Sequence, residues 1–333
     1  MTKLTFILRK LTDTNYKAIF KTASDIAKIT GKSKLAILKD MADCTAKYGS
    51  GYVDYKDFRM YELSPEKRAE ILTITKNNEL VRTLNQAEYR DFFEDKEKFN
   101  RKFSKYLHRE WMIINGENFE EFKAFVDGKP AVIVKPLGLS CGKGIEKVYP
   151  DQEKDLKATY DELYAHNCIL VEELAKQCDE MSAFCTTSIN TVRLVSVITN
   201  SGEPKLCAGV FRMGREGAYV DNFNHGGIGA NVDVWKGETA TDGYDKDRNI
   251  YEYTPVTNQK LKGFKIPQWE ACEAMVKEAA MVVPQVRYVA WDVCIAPEGP
   301  LLIEGNSYPG QDLSQYPELG LGTYKAITDV LNS

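Results

Sequence analysis

The chain has 333 residues, a formal net charge of −4 and a hydrophobic fraction of 43%. This composition excludes a disordered or fibrous chain, and the slight negative charge gives no bulk attraction to nucleic acid or anionic lipid. No apolar run reaches the length of a membrane span, and the eight cysteines and three histidines lack the spacing of a zinc site or a disulfide framework. We therefore expect a cytoplasmic protein of two or three lobes, whose oligomeric state the sequence leaves open.

The N-terminal part is predicted to be helical. Apolar residues recur at three- and four-residue spacings in Asn15–Ile29, Lys34–Tyr48 and Pro65–Leu84. We assign residues 1–88 to an N-terminal helical region. Packing on the rest of the chain, contact with a substrate and simple stabilisation of the fold all remain open as its role.

A charged helix is predicted next, from Asp91 to Arg109. Its aromatic residues form a stripe that we expect to pack into the core rather than to bind a ligand, namely Phe92, Phe93, Phe99, Phe103 and Tyr106. The helix would lead into a mixed helix and strand segment.

A predicted strand, Ala131–Lys135, ends on a lysine. Successive residues of a strand point to opposite faces, so Val132 and Val134 share one face and Lys135 lies on the other. Lys135 is therefore expected to leave the sheet as a fixed cation beside the loop that follows.

The loop after this strand contains Gly138, Gly142 and Gly144. Glycines let the backbone approach a ligand closely and direct N–H groups at anionic oxygens, as in a polyphosphate site. The spacing excludes a Walker P-loop, because three residues rather than four separate Gly138 from Gly142, and a glycine follows Lys143. A hairpin turn with solvated lysines is the alternative interpretation.

Two later strands each carry one arginine among apolar residues. Arg193 lies in the predicted strand Thr191–Ile198 and Arg212 in Leu206–Met213. An arginine that faces inward from such a strand needs an anionic partner. Arginines that face solvent are the alternative.

The loop 221–229 combines amide, imidazole and glycine groups that could bind a substrate or a phosphate from a backbone nest: Asn222, Asn224, His225, Gly226 and Gly227. A plain glycine-rich turn is the competing interpretation. A role for the histidine as a general base is a further hypothesis.

Two apolar runs around Pro-Glu-Gly, residues 297–299, predict a β-hairpin near the end of the chain. A hairpin centred on Glu298 sets Asp292 directly across from Glu304 and brings Asn306 to the same face. Opposed carboxylates destabilise a sheet unless they are paired or metal-bound. An all-oxygen donor set favours Mg²⁺ or Mn²⁺, although ordinary surface acids in a slipped register remain possible.

The stretches VIVKPLGLSCGKG and YVAWDVCIAPEGPLLIEGNSYPG together resemble the ATP-grasp superfamily. The motifs NTVRLV, DNFNHGG and EGNSYPG are most similar to the sugar-transfer-associated ATP-grasp family, and the resemblance runs from Tyr89 to the C-terminus. Glutamate-adding ligases and D-alanine D-alanine ligases are also similar. The resemblance implies an α+β ATP-grasp fold with the N-terminal helical region, in which two lobes, residues 89–175 and 176–333, clasp ATP.

This resemblance implies particular residues for the ATP phosphates. Lys135 would contact the α- and β-phosphates, and the glycine-rich loop would cover them with Gly138, Ser140, Gly142, Lys143 and Gly144. An earlier phosphate-binding lysine would be Lys96, although Lys102 or Lys105 could take that place.

The resemblance also implies an adenine and ribose site. Glu172 and the backbone near Glu173 and Leu174 would face the base. Asp179 falls where D-alanine D-alanine ligases carry an acid that binds ribose.

Two Mg²⁺ ions would, by the same resemblance, be held by the hairpin residues Asp292, Glu304 and Asn306. D-alanine ligases carry an arginine two residues before the first metal aspartate, and here that position is Ala290. Arg193 or Arg212 would then supply the catalytic positive charge together with Lys135.

The implied activity is that of an ATP-dependent, ADP-forming ligase. A small-molecule carboxylate would attack the γ-phosphate, and an amine would displace phosphate from the resulting acyl phosphate. The acceptor would be an amino acid, an amino sugar or a peptide related to carbohydrate or cell-surface polymer assembly, and the sequence does not identify it. A kinase-like phosphotransferase and a non-catalytic nucleotide-binding partner of a glycosyltransferase are the alternatives.

Overall fold

The computed structural model describes residues 15–138, 144–153, 155–215, 217, 223, 226–312, 314–315 and 322–333. The chain divides into two compact units. The first comprises Met1–Glu79 and Gln315–Lys325, and the second comprises Leu80–Ser314 and Ala326–Ser333. Among the described helices, none combines the length and the apolar character needed to cross a membrane.

The first unit is built from short α-helices, and the fifth of them continues into the second unit. Their bounds are α1 (Tyr16–Thr30), α2 (Lys34–Tyr48), α3 (Tyr52–Asp57), α4 (Pro65–Glu70) and α5 (Ile74–Leu84). The side chains of Asn15 and Ser33 accept hydrogen bonds from the first turns of α1 and α2 and so fix where these helices begin. Their apolar faces meet in a core that includes Ile26, Ile37 and Tyr55.

The prediction of one helix over Pro65–Leu84 is wrong, because α4 and α5 are separated at residues 71–73. The side chain of Gln315 takes both backbone groups of Leu72: its Oε1 accepts from the Leu72 N–H at 2.8 Å, and its Nε2 donates to the Leu72 carbonyl at 2.7 Å. A backbone that is paired in this way cannot also join a helical ladder.

The second unit contains a four-stranded antiparallel sheet with the strand order β1-β4-β2-β3. Its strands are β1 (Trp111–Ile113), β2 (Val132–Lys135), β3 (Glu146–Val148) and β4 (Leu170–Glu173). Val132 and Val134 pack into one core together with Phe122 and Tyr160, which come from the helices α8 (Phe119–Val126) and α9 (Leu156–Ala165). The predicted alternation is confirmed, because Lys135 lies on the opposite face from these valines.

An antiparallel sheet of eight strands forms the rest of this unit. Its order is β10-β9-β7-β6-β5-β11-β12, with β8 paired to β7. The bounds are β5 (Thr191–Ile198), β6 (Pro204–Met213), β7 (Ile228–Asp233), β8 (Glu238–Thr239), β9 (Gly243–Tyr244), β10 (Ile250–Tyr251), β11 (Tyr288–Ala296) and β12 (Gly299–Asn306). The remaining helices are α6 (Asp91–Glu94), α7 (Lys96–Lys102), α10 (Asp179–Ser182), α11 (Trp269–Ala280) and α12 (Thr323–Leu331).

The predicted helix Asp91–Arg109 is instead two short helices, α6 and α7, followed by a single 3₁₀ turn at Ser104–Tyr106. Asp95 breaks it, because its extended backbone and its side chain, which accepts from the Lys98 N–H at 3.0 Å, begin a new helix. The aromatic stripe packs as expected: the rings of Phe93 and Phe103 lie 5.7 and 5.5 Å from that of Trp291. These rings cover one face of the large sheet. The opposite face of β11 and β12 carries Asp292 and Glu304 and, nearer the turn, a small apolar cluster that includes Cys294 and Leu301.

Candidate functional site

A buried carboxylate, Glu172 on β4, organises the first polar cluster. Its Oε2 forms an ion pair with Lys135, while its Oε1 accepts from Asn100 Nδ2 at 2.7 Å and from Arg109 Nη2 at 3.0 Å. Burial alone would raise the pKa of Glu172, but Arg109 and Lys135 outweigh burial and lower this pKa to about 2. The cluster therefore contains one ionised acid and two cations, and its excess charge is positive.

The second cluster begins with the hairpin of β11 and β12, in which Asp292 pairs with Glu304 and Ala290 with Asn306. The predicted register of the two carboxylates is thus confirmed. Nearer the turn, the register shifts by one residue, because a β-bulge between Asp292 and Val293 leaves Ile303 without an opposite residue. The bulge was not predicted, and the hairpin is therefore not symmetric about Glu298 throughout.

Two arginines bind Asp292 on the polar face of the large sheet. Arg193, directly opposite on β5, donates from Nε to Oδ1 at 2.6 Å and from Nη2 to Oδ2 at 2.7 Å, and Arg212 on β6 donates to Oδ2 at 2.8 Å. Both arginines therefore face inward to an anionic partner. Burial opposes ionisation of Asp292, but Arg193 and Arg212 outweigh it and hold the pKa of Asp292 far below its usual range.

Glu304 differs from Asp292 in its exposure, since 46% of its side chain is accessible and only 4% of the Asp292 side chain is. The surrounding protein and the adjacent Asp292 raise the pKa of Glu304. Asn306 donates from Nδ2 to Glu304 Oε1 at 3.4 Å. Between them, Gly305 lies so close to the aromatic cluster that a Cβ there would come within 2.9 Å of Phe99.

The donor set of this cluster fits a hard divalent cation. Glu304 and Asn306 add carboxylate and amide oxygen atoms beside Asp292, and the Glu304 side chain is 46% accessible. Arg193 and Arg212, however, already bind Asp292. The two arginines therefore neutralise Asp292 without a metal ion. A divalent cation would be needed only to neutralise Glu304.

Lys96 on α7 and Lys135 on β2 lie close enough to Glu304 of the hairpin for their charges to interact. The pKa of Lys96 is lowered, chiefly because the side chain is buried and partly because Lys135 is nearby. The negative charges of Glu304 and Glu172 oppose this lowering. Lys135 in turn lowers the pKa of Glu304. Lys96 also donates to the Leu137 carbonyl, at the start of the glycine-rich loop, at 3.4 Å.

The other two lysines considered for this place lie elsewhere. Lys102 lies over the ring of Phe92 at 5.3 Å, and Lys105, 73% exposed, forms an ion pair with Glu278. Of the three lysines, Lys96 is the one with a described contact to the glycine-rich loop.

The residues predicted for adenine and ribose lie at the end of β4. The Glu172 carboxylate binds Lys135, Arg109 and Asn100, and its predicted contact with the base stays a prediction. Glu173 also pairs with the chain before β1, since its N–H donates to the Glu110 carbonyl at 2.9 Å. Leu174 follows the strand and Asp179 is exposed at the first position of α10, so their predicted contacts with nucleotide stay predictions.

The glycine positions can be described only in part. Gly138 and Gly144 belong to the glycine-rich loop after β2, and Gly144 has a φ of +69°. Gly226 has a φ of +91° and its carbonyl accepts from Arg215 Nε at 2.5 Å, while Gly227 is buried just before β7. The other predicted loop residues lie outside the described part of the chain: Ser140, Gly142, Lys143, Asn222, Asn224 and His225.

Three contributors were not singled out from the sequence. Asn100 and Arg109 bind Glu172 from segments 72 and 63 residues away. Asn85 donates to the carbonyls of Tyr288 and Ser307 at 2.7 and 2.6 Å and so joins the two hairpin strands beside Asn306. No local pattern marks such residues, because their partners are distant in sequence.

The protein has an α+β fold in which one antiparallel sheet carries Lys135 and the other carries the carboxylate hairpin. The model of the sugar-transfer associated ATP-grasp family matches residues 75–321, well over half of the chain. The chain belongs to this family. A search of the curated proteins found no match.

Solved structures with a similar fold include several ATP-grasp enzymes. An ADP complex of PurK, N5-carboxyaminoimidazole ribonucleotide synthetase, matches 66% of this chain and 46% of its own at 14% identity and a TM-score of 0.42. The ATP-grasp ligase PsnB, in complex with a minimal precursor, matches 74% of this chain and 62% of its own, at 12% identity and a TM-score of 0.44. The D-alanine-D-alanine ligase of Coxiella burnetii matches 72% of this chain and 56% of its own, at 11% identity and a TM-score of 0.44. The chain thus spans less than two thirds of these relatives, and their substrates do not carry over to it.

Proposed function

We propose that this protein is an ATP-dependent ligase that joins a carboxylate to an amine and forms ADP through an acyl phosphate. The proposal is supported chiefly by one observation: Arg109 binds both Glu172, the ion-pair partner of Lys135, and the β12 backbone next to Glu304, so a lysine and an accessible carboxylate lie near each other. A triphosphate with its divalent cation needs this combination, since cations oppose the phosphates and carboxylates hold the metal.

The residues divide the work of phosphoryl transfer between them. Lys135 and Lys96 bind the phosphates, and Glu172 holds Lys135 in place as its counter-ion. Glu304, Asn306 and Asp292 would hold Mg²⁺ or Mn²⁺, which when bound neutralises the charge that develops on the phosphates. Arg193, 21% exposed and fixed by Asp292, is the arginine that reaches the developing charge on the transferring group, while Arg212 is more deeply buried and orients Asp292.

The acceptors belong to the proposal in outline only. The carboxylate is a small molecule or an amino acid, and the amine is carried by an amino sugar, a peptide or a precursor of a cell-surface polymer. This part follows from the sugar-transfer association of the family. The loop between Arg215 and Gly226, with its two asparagines and histidine, is the proposed acceptor site.

The test is ADP and phosphate release from ATP by the purified protein with Mg²⁺, measured over a matrix of amino acids, sugar acids and amino sugars. A ligase releases ADP only when one carboxylate and one amine are both present, and its product contains both. An Arg193→Lys variant, which keeps the charge but loses the bidentate contact with Asp292, should lower the rate without changing which pair is required.

Two other outcomes would contradict the proposal. A stable phosphorylated product formed with a single acceptor would indicate a phosphotransferase. Binding of Mg²⁺-ATP without turnover on any pair, including polymer precursors, would indicate a nucleotide-binding partner protein.

A further inference from the structure

Arg109 connects the two sheets of the second unit. It lies two residues before β1, and its Nη2 donates to Glu172 Oε1 on β4 at 3.0 Å. The same guanidinium donates to two backbone carbonyls of β12, from Nη1 to Leu302 at 2.6 Å and from Nη2 to Ile303 at 3.2 Å. Only 3% of its side chain is exposed, so these contacts are shielded from water.

The two carbonyls lie at the β-bulge beside the carboxylate pair. Ile303 is the additional residue, because Leu302 pairs with Val293 and Glu304 pairs with Asp292. A bulge removes the extra residue from the regular ladder, and β12 is also the last strand in the described order of its sheet. Arg109 supplies the donors that a neighbouring strand would otherwise supply.

This bulge decides where the Glu304 carboxylate lies. Leu302 is fully buried in the apolar core on one face of the sheet, while Glu304, two residues later, lies opposite Asp292 on the polar face. In a regular strand, residues 302 and 304 would share a face. The extra residue therefore allows a core leucine and a site carboxylate to be this close along β12.

We propose that Arg109 is a positioning residue that holds the bulge at Ile303 and thereby sets the Glu304 carboxylate opposite Asp292, with Glu172 as its anchor in the four-stranded sheet. This inference rests on the proposed function, since Glu304 is there a metal ligand. A planar guanidinium suits the role because its donors can reach an acid and two carbonyls together, which an ammonium group cannot.

The test compares Arg109→Met with Arg287→Met as a matched control. Arg287 also donates to a backbone carbonyl of a neighbouring strand, that of Ile198 at 2.7 and 3.0 Å, but at the end of β11 away from the carboxylates. Mn²⁺ binding is measured by electron paramagnetic resonance with saturating ADP. Hydrogen exchange of β12 is measured by mass spectrometry on the protein without metal or nucleotide.

Arg109→Met should weaken Mn²⁺ binding by about tenfold or more, as loss of a group that orients a metal ligand does. It should also speed exchange within Gly299–Asn306. Arg287→Met should lower the melting temperature and leave Mn²⁺ affinity and β12 exchange as in the wild type. Mn²⁺ affinity and exchange in Arg109→Met equal to those of the wild type, together with a lowered melting temperature, would overturn the inference.

Arg109→Lys serves if the methionine variant does not fold. It keeps a cation beside Glu172 but cannot bind both carbonyls, so an intermediate loss of Mn²⁺ affinity is expected, and wild-type affinity would count against the role. A wild type that binds ADP but no Mn²⁺ would overturn the proposed function of the hairpin and, with it, the metal part of this inference. The exchange of β12 would then decide alone whether Arg109 holds the bulge.

Discussion

The clusters around Glu172 and Asp292 solve the same physical problem with opposite results. Each contains a buried carboxylate held by two cations, Lys135 and Arg109 in one and Arg193 and Arg212 in the other. The Asp292 cluster has one additional member, the half-exposed Glu304. The first cluster is therefore left with surplus positive charge, and in the second the two acids balance the two arginines.

This difference indicates that, if the proposed function holds, the more exposed member of each cluster rather than its most buried one would contact the ligand. Lys135 keeps 13% of its side chain accessible, whereas its partner Glu172 keeps 3%. At the hairpin, Glu304 is the accessible group. The buried acids Glu172 and Asp292 fix their neighbours in place, because an unpaired charge in such surroundings is strongly disfavoured.

The largest effect should follow Asp292→Asn. The change removes a proposed metal ligand and leaves Arg193 and Arg212 without their anion. We therefore expect Mg²⁺-dependent ADP release to fall about a thousandfold and the free energy of unfolding to fall by about 3 kcal/mol. Glu298→Gln, an exposed acid at the turn of the same hairpin, is the control and should change neither. Turnover of the Asn variant within tenfold of the wild type would remove Asp292 from the site.

Glu172→Gln should destabilise the second unit by about 3 kcal/mol, because it leaves Arg109 and Lys135 buried beside a neutral amide. All four tryptophans, Trp111, Trp235, Trp269 and Trp291, lie in this unit, so urea unfolding followed by tryptophan fluorescence measures it selectively. Glu110→Gln, which loses only an exposed contact with Lys129, should cost less than about 1 kcal/mol. Equal losses in both variants would contradict a buried role for Glu172.

The same pair of proteins allows a test of the Glu172 pKa. Because this pKa is lowered to about 2 in the folded state from 4.5, ionised Glu172 stabilises the fold above pH 4.5 and loses this contribution as the pH falls toward 2. The difference in unfolding free energy between wild type and Glu172→Gln should therefore shrink over this range. A difference that stays constant down to the acid limit of the folded protein would show that Glu172 is not held ionised.

The smallest effect should come from Lys96→Met. Loss of one phosphate-binding cation should weaken ATP binding by about tenfold, measured with a fluorescent ATP analogue. Lys102→Met and Lys105→Met are the controls, since these side chains lie over Phe92 and beside Glu278. A larger loss in either control than in Lys96→Met would move the second phosphate lysine to that position.

The features that the sequence predicted well are those set by local periodicity. The pairing of Asp292 with Glu304 followed from a short turn and strand alternation, and β5 has the predicted bounds Thr191–Ile198. The inward direction of Arg193 was one of two alternatives, and its partner across β11 decides between them. The need of a buried arginine for an anionic partner therefore also predicted part of the candidate site.

What the sequence did not reveal depends on partners far along the chain. The helix is interrupted before α5 because the side chain of Gln315, 243 residues after Leu72, binds the Leu72 backbone. No sequence pattern near residue 72 predicts this interruption. The bulge at Ile303 depends on Arg109, which lies 194 residues earlier. The contacts of Asn100 and Arg109 with Glu172 were likewise not predicted, because nothing local to β4 indicates them.

The pairing of Leu72 with Gln315 has a consequence for how the chain acquires its structure. Both residues belong to the first unit, although nearly the whole second unit lies between them in the sequence. During synthesis, the helices before Leu72 leave the ribosome early. Gln315, the partner of Leu72, is made only after the β11–β12 hairpin. The segment Gln315–Lys325 of the first unit is therefore synthesised only after Leu80–Ser314 of the second. A fragment ending before Gln315 would lack the side chain that binds the Leu72 backbone.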